Sequence, residues 1–452
     1  MHARVSSAGP ARMALRRVLL TLLLAASLPA TAAEQPADLA GVLQRIATQS
    51  PTIHAAQAGQ RAAGAQERAT RAAWFGKVDT YARSMHYNDP RLVRPITEPP
   101  NVALYPFSRN QFGYGVEAQL PIDISGQILA SVQAARANAR RAMWNAEDQR
   151  LQTILDGAAL YRNLQAVTGQ RSALEAQQRA LASSLAVARK GLKVGSIARV
   201  NLLRVQAAEA AVQGQLAGVE GQEQHLRAQL AALMDLPMFN AGIKPSPVEP
   251  TRLPDGNPDR APLLAAARSA ADAAAAREQV ARRAQWPQLA LTGGWDHNAI
   301  QFDRRAVDTW QVMLVLKLNL WSGGAQRAAI SVARASREQA MDRSRQAQLN
   351  LTAASAGAAA AWRAQSRACL AATAGLAAAD ESAHTERDRF KLGLGSATDL
   401  IDAEAALAQA RASVAGALAA WWEADDALRY TYGEAPLALG EASRESSAAQ
   451  GN

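Results

Sequence analysis

The sequence predicts a mainly α-helical chain with a membrane β-barrel portion, laid out on a duplicated hairpin plan. Three observations predict it. First, the stretch from Lys193 to Gln206 (Lys-Val-Gly-Ser-Ile-Ala-Arg-Val-Asn-Leu-Leu-Arg-Val-Gln) returns from Lys391 to Glu404 (Lys-Leu-Gly-Leu-Gly-Ser-Ala-Thr-Asp-Leu-Ile-Asp-Ala-Glu), at an offset of 198 (391 − 193). Second, each copy lies between long Ala-rich segments without Pro, and its Gly can take the φ > 0 conformation that lets one helix end and another return. Third, Val116, Ala118, Leu120, Ile122 and Ile124 alternate with Glu117, Gln119 and Asp123, and the same pattern recurs at Val312, Leu314, Leu316, Leu318 and Leu320 against Gln311, Lys317 and Asn319. Alternation over about nine residues is what a tilted membrane strand needs.

Composition agrees. A chain of 452 residues with 19% charged and 5% aromatic residues suits long, closely packed helices built twice better than one large core. The formal charge of +10 includes Arg4, Arg12, Arg16 and Arg17, so the rest carries about +6 (10 − 4), spread along helices rather than gathered into a nucleic-acid patch. Residues 1–33 read as a signal peptide: Arg16 and Arg17 precede the apolar run from Val18 to Ala26, and small residues around Ala30 to Ala33 suit cleavage. Cys369 is the one cysteine, which excludes an intrachain disulfide. No later segment is apolar for long enough to make a membrane helix, but a β-barrel needs none.

Taken in order, residues 34–236 form the first structural repeat. Asp38 to Arg71 is helical, with Pro51 near a helix start. The period changes around Trp74 to Tyr87, and Pro90, Pro95, Pro99, Pro100 and Pro106 place a long exposed loop between Tyr87 and Asn110. A strand follows from Phe112 and ends at Ser125-Gly126. The pattern then predicts a helix from Gln127 to Lys190, a tip, and a return helix from Val200 to Met234. Residues 237–259 are a Pro-rich linker. The second repeat, 260–433, keeps the order: a helix opening at Pro262, strands from Trp286 and around Val312, a helix from Gly323 to Arg389, and a return helix to Tyr430. Ser, Ala and Gly in residues 434–452 predict a flexible tail.

Four strands cannot close on themselves, since about eight make the smallest usual barrel and lipid tolerates no open strand edge. Two copies would give eight strands (2 × 4) around a filled interior, and three would give twelve (3 × 4) around a lumen.

The run Arg389-Phe390-Lys391-Leu392-Gly393, followed by Thr398-Asp399-Leu400-Ile401-Asp402, resembles the second hairpin tip of TolC-like outer-membrane efflux proteins, the exit ducts of Gram-negative export systems. Lys193 to Gln206 is similar to that family's first tip, and the resemblance extends over nearly all of the chain after the signal segment. It implies a homotrimer with a twelve-stranded barrel in outer-membrane lipid, continued through the periplasm by a long α-barrel. It also implies a passive channel, opened at its tips by a periplasmic adaptor (membrane fusion) protein attached to an inner-membrane transporter.

Asp399 and Asp402, three residues apart, put two carboxylates on nearly one helix face near an N-terminus, where capping and the helix dipole favour them. The resemblance makes them the periplasmic gate, and its locking contacts fall on Phe390, Gly395 and Asn201. Here Phe390 lacks a hydroxyl, Gly395 lacks a charge and Asn201 replaces an acid, so Arg199 and Arg204 are expected to face Asp399 or Asp402 instead. Val194, Gly195, Ser196, Leu392, Gly393 and Leu394 are turn residues and the expected adaptor contacts. His86 and His297 are equivalent at an offset of 211 (297 − 86) and could ring a trimer, yet two His without Cys or acids at ligand spacing do not make a metal site. Trp286, Trp295, Trp310, Phe112 and Tyr114 suit aromatic girdles or packing against the helix ends. No nucleotide loop, G-x-S-x-G, H-E-x-x-H or Cys pair is present, which argues against an enzyme and calls for no cofactor. A periplasmic coiled-coil stalk is the non-channel alternative, and a type I protein-secretion duct is the alternative within the channel class.

Overall fold

The computed structural model describes residues 37–93, 107–245, 252–300 and 306–439; the expected signal peptide, the middle of the first loop and the end of the tail lie outside the described residues. Asp38 opens the first helix by accepting a hydrogen bond from the Gly41 amide on its side chain (2.9 Å), which satisfies an amide the helix cannot. Helix α1 (Leu39–Gln49) stops at Ser50, and Pro51, whose missing N–H is harmless in a first turn, starts α2 (Pro51–Ala72).

Strands β1 (Lys77–Leu92), β2 (Phe107–Ile122), β3 (Gln288–Ile300) and β4 (Ala306–Lys317) form one antiparallel sheet in chain order. The two hairpins lie side by side through β2 and β3, with Val116 opposite Trp295. The long loop expected from Tyr87 to Asn110 is shorter than that, because β1 continues through Pro90 and β2 begins at Phe107. The proline is tolerated because the β1–β2 register shifts between His86 and Arg91, where the ladder asks for no amide. At the other end β4 stops at Lys317, short of Leu318 and Leu320.

Helices α3 (Gln127–Lys193) and α6 (Ala325–Lys391) are both 67 residues long, and the return helices α4 (Arg199–Leu233) and α7 (Ala397–Thr431) are both 35. Helix α5 (Pro262–Arg283) matches α2 at 22 residues. These equal lengths are the duplication in three dimensions. At 1.5 Å per residue the long helices extend about 100 Å, so α2 and α4 flank α3 in succession, and α5 and α7 flank α6. Helix α3 is central, packing on α2, α4, α5 and α7. Helix α6 lies at the margin and buries only Leu351, Trp362, Ala383 and Phe390.

The proline-rich stretch does more than link. Ala37 bridges to Ile243, Phe239 and Ala241 are buried with Leu43, Ile46, Ile154 and Leu230, and the Tyr161 hydroxyl donates to the Ala37 carbonyl at 2.9 Å. The tail also begins packed rather than loose: Ala438 and Leu439 lie against this same core and Leu437 against a cluster of Trp362, Trp421 and Trp422. In both places apolar side chains remove surface from water, which composition counts do not register. No described helix is long and apolar enough to cross a membrane.

Candidate functional site: the hairpin tips and the apolar band

Both tips close in the same way. In the first, the Ser196 amide donates to the Gly191 carbonyl (2.9 Å) and the Gly195 amide to Leu192; in the second, Leu394 donates to Arg389 (2.8 Å) and Gly393 to Phe390. This double bond pattern needs a left-handed residue, supplied by Gly195 at φ 78° and Gly393 at φ 73°. Val194, Ser196, Leu392 and Leu394 are exposed there, with Val194 80% accessible and Leu392 74%. Ser396 then caps α7 by accepting from the Asp399 amide at 3.0 Å.

The expected gate residues separate into two groups. Asp399 and Asp402 are exposed on the first turns of α7, and Arg199 and Arg204 are exposed on α4. Arg204 does not reach a carboxylate; its Nη1 donates to Thr398 Oγ1 at 3.0 Å, joining the two hairpins one residue before Asp399. Phe390 is 3% exposed and packs with Leu181, Leu185, Val205 and Leu400, so it seals the space beneath the tips. Gly395 leaves no room for a side chain without displacement, since a Cβ would lie 3.0 Å from the Phe390 nitrogen. Asn201 is half-buried.

One pair escaped the sequence reading. Arg387 and Glu404 form a two-pronged ion pair between α6 and α7, with Arg387 Nη2 donating to Glu404 Oε2 at 2.7 Å and Glu404 1% exposed. Donating to the Glu404 carboxylate raises the Arg387 pKa above its usual value. The signal lay in symmetry: the two residues are equally distant from the turn at Gly395 and Ser396, so an antiparallel hairpin sets them opposite each other. Farther from the tip, Asp426 is 2% exposed and lies 3.9 Å from Arg162 Nε, while neither of its oxygens accepts a hydrogen bond among the described residues. Burial pushes the Asp426 carboxyl up to about 7, against the pull of Arg162.

At the opposite end the sheet presents apolar side chains on one face. Val312, Leu314 and Leu316 are each more than 60% exposed, beside Val116, Leu120 and Ile122 of β2. The band has aromatic margins: Phe112, Tyr114, Trp295 and Trp310 away from the helices, and Trp74, Phe75, Trp286 and Trp321 next to them.

His86 and His297 also lie on this outward face. His86 Nδ1 meets Asn110 Oδ1 at 2.5 Å and His297 Nδ1 meets Asp308 Oδ1 at 2.6 Å, and Asn110 and Asp308 are themselves related by 198 (308 − 110). The His297 ring packs on Tyr114, 4.7 Å between centroids. The register moves both away from the opposite face of the sheet, where a ring of six would need them: His297 lies opposite Tyr114, and His86 opposite Asn110, four residues before Tyr114 on β2, so both share the face of the apolar band. Among the described residues no three potential metal ligands cluster.

Comparison with known proteins follows this geometry closely. The outer membrane efflux protein family model matches residues 42–235 and 257–434. The chain is similar in fold to the outer membrane protein VceC of Vibrio cholerae (18% identity, TM-score 0.74, covering 88% of this chain and 96% of that one). It is similar likewise to the CmeC outer membrane channel of Campylobacter jejuni (16%, 0.74, 90% and 89%) and to the MtrE outer membrane channel of Neisseria gonorrhoeae in its open state (19%, 0.74, 89% and 89%). None of the curated proteins compared with it matches. With the tips, the long helices and the apolar band in place, the chain belongs to the outer membrane efflux protein family.

Proposed function

We propose that three copies of this chain assemble into one outer-membrane exit duct, closed at the periplasmic tips until an adaptor and an inner-membrane transporter engage it. The open sheet carries this reading. Among the described residues the outer edges of β1 and β4 have no partner, the outward face along β2 and β4 is apolar, and lipid forbids unpaired backbone. Pairing β4 of one copy with β1 of the next removes every edge, and three copies give twelve strands (3 × 4) with an aqueous lumen. The unpartnered flank of α6, where Val332 and Leu349 are exposed, then meets α2 and α4 of the neighbour, which extends the barrel into the periplasm. A stalk in the periplasm would leave the apolar face in water.

In the closed duct Asp399 and Asp402 form two carboxylate rings that hold cations and exclude anions, and Arg204 to Thr398 is the bond that keeps the hairpins together. The exposed turn residues Val194, Gly195, Ser196, Leu392, Gly393 and Leu394 receive the adaptor. Two measurements test this. Reconstituted in planar bilayers, the trimer is expected to conduct weakly and the Asp399→Ala, Asp402→Ala variant to conduct more; equal currents would remove these residues from the gate. Ser196→Cys is expected to cross-link to a co-expressed adaptor, and a failure to do so while the trimer forms would move the docking surface elsewhere.

A further inference from the structure

The face of the sheet opposite the apolar band carries a pocket near its outer end. On β2, Gln111, Gly113 and Gly115 point to this face; Arg83 of β1 and Asn298 of β3 are in register with Gly113, and Asp296 of β3 with Gly115. The two glycines leave the strand bare, so side chains from β1 and β3 meet across it. A Cβ at Gly113 would press on Arg83 Nε and Asn298 Oδ1, each 3.2 Å away, and one at Gly115 on Asp296 Oδ1 and the Tyr81 hydroxyl, each 3.0 Å away.

Two buried amides shape the wall. Asn298, 9% exposed, accepts from Arg83 Nη2 at 3.0 Å and fixes the guanidinium. Gln111, 6% exposed, donates to the carbonyls of Arg91 (2.8 Å), Leu92 (3.3 Å) and Ser108 (3.2 Å), which folds Leu92 and the buried Val93 over the face. This open pocket holds about 480 Å³, with Met85, Leu92 and Val93 as apolar wall and Arg83 and Asp296 as charges.

Arg83 and Asp296 line one pocket, yet neither forms an ion pair with the other or with any other residue among those described. A guanidinium held by Asn298 and an unpaired carboxylate lining the same pocket match a solute that carries both charges: a carboxylate takes the Arg83 fork, an ammonium takes Asp296, and an apolar body covers Met85 and Val93. We propose that this pocket is a subsite for zwitterionic solutes with an apolar body, occupied as they leave through the outer mouth. The inference rests on the channel reading above.

Three probes of one shape test it in planar bilayers, each added to the outer side: tryptophan, which is zwitterionic, indole-3-propionate, which is an anion, and tryptamine, which is a cation. Tryptophan is expected to interrupt the current with dwell times at least tenfold longer than either relative. Arg83→Ala is expected to abolish that difference, Arg83→Lys to reduce it by loss of the fork, and Asp296→Asn to make indole-3-propionate the longest-lived blocker. Equal dwell times for the three probes in the unmodified channel would overturn the subsite while leaving the channel intact. An absence of current from correctly assembled trimer would overturn both readings.

Discussion

At the residue scale, the tips depend on a few side chains whose roles follow from burial. Arg204 and Thr398 bond across two hairpins at an exposed surface, where a neutral acceptor and a charged donor contribute about 1–2 kcal/mol. Thr398→Val is expected to raise the leak conductance of the closed duct with little change in melting temperature, which bilayer recording and thermal unfolding would separate. Asp426 behaves differently. Its carboxyl titrates at about 7 in the folded chain because burial disfavours the anion, whereas an unfolded Asp titrates near 3.9. A raised carboxyl favours the folded state while protonated, so its contribution is full below about pH 4 and is lost as pH rises toward about 7. Thermal unfolding of Asp426→Asn is expected to lack that decline, so that the variant gains on the native chain between about pH 4 and 7; parallel curves would remove Asp426 as its source. Sequence analysis picked out Asp399 and Asp402 by their spacing and a family resemblance but passed over Asp426, whose surroundings come from α3 as well as α7.

At the element scale, helix ends were legible because their signals are local. Gly195 and Gly393 appear at left-handed positions in both turns, and Pro51 and Pro262 each open a helix. Gly393→Val is expected to cost about 1–2 kcal/mol, since a branched side chain resists φ > 0, and to lower the unfolding temperature of the helical part; an unchanged temperature would mean that the turn relaxes to another conformation. The strand ends were less legible. Pro90 reads as a loop residue until the register shift beside it is known, and Leu318 and Leu320 continue an alternation that the ladder itself abandons at Lys317. Ladder bonds depend on the partner strand, and no single segment reveals where its partner stops. Close helix packing was equally hidden: a Cβ on Gly169 would collide with Ala415, a contact between residues far apart in the chain.

At the scale of the whole molecule, the two faces of the sheet make opposite demands. Leu314→Arg places a charge in the apolar band and is expected to cost about 2–4 kcal/mol if that band meets lipid at mid-membrane, whereas Gln311→Arg on the opposite face is expected to be tolerated. Outer-membrane yield of the two variants checks this, and equal yields would mean that the face exposing Leu314 does not meet lipid. The sequence by itself determined the duplicated order of elements, the hairpin turns and the apolar alternation, because each depends on residues within a few positions of one another. Only the tertiary structure decided that β2 and β3 join the halves into one sheet, that His86 and His297 share the face of the apolar band, that Arg204 meets Thr398, and that Arg83 meets Asn298 across the bare Gly113. Those relations are set by strand register and helix rotation between distant segments, and a one-residue change in either would point every one of these side chains elsewhere.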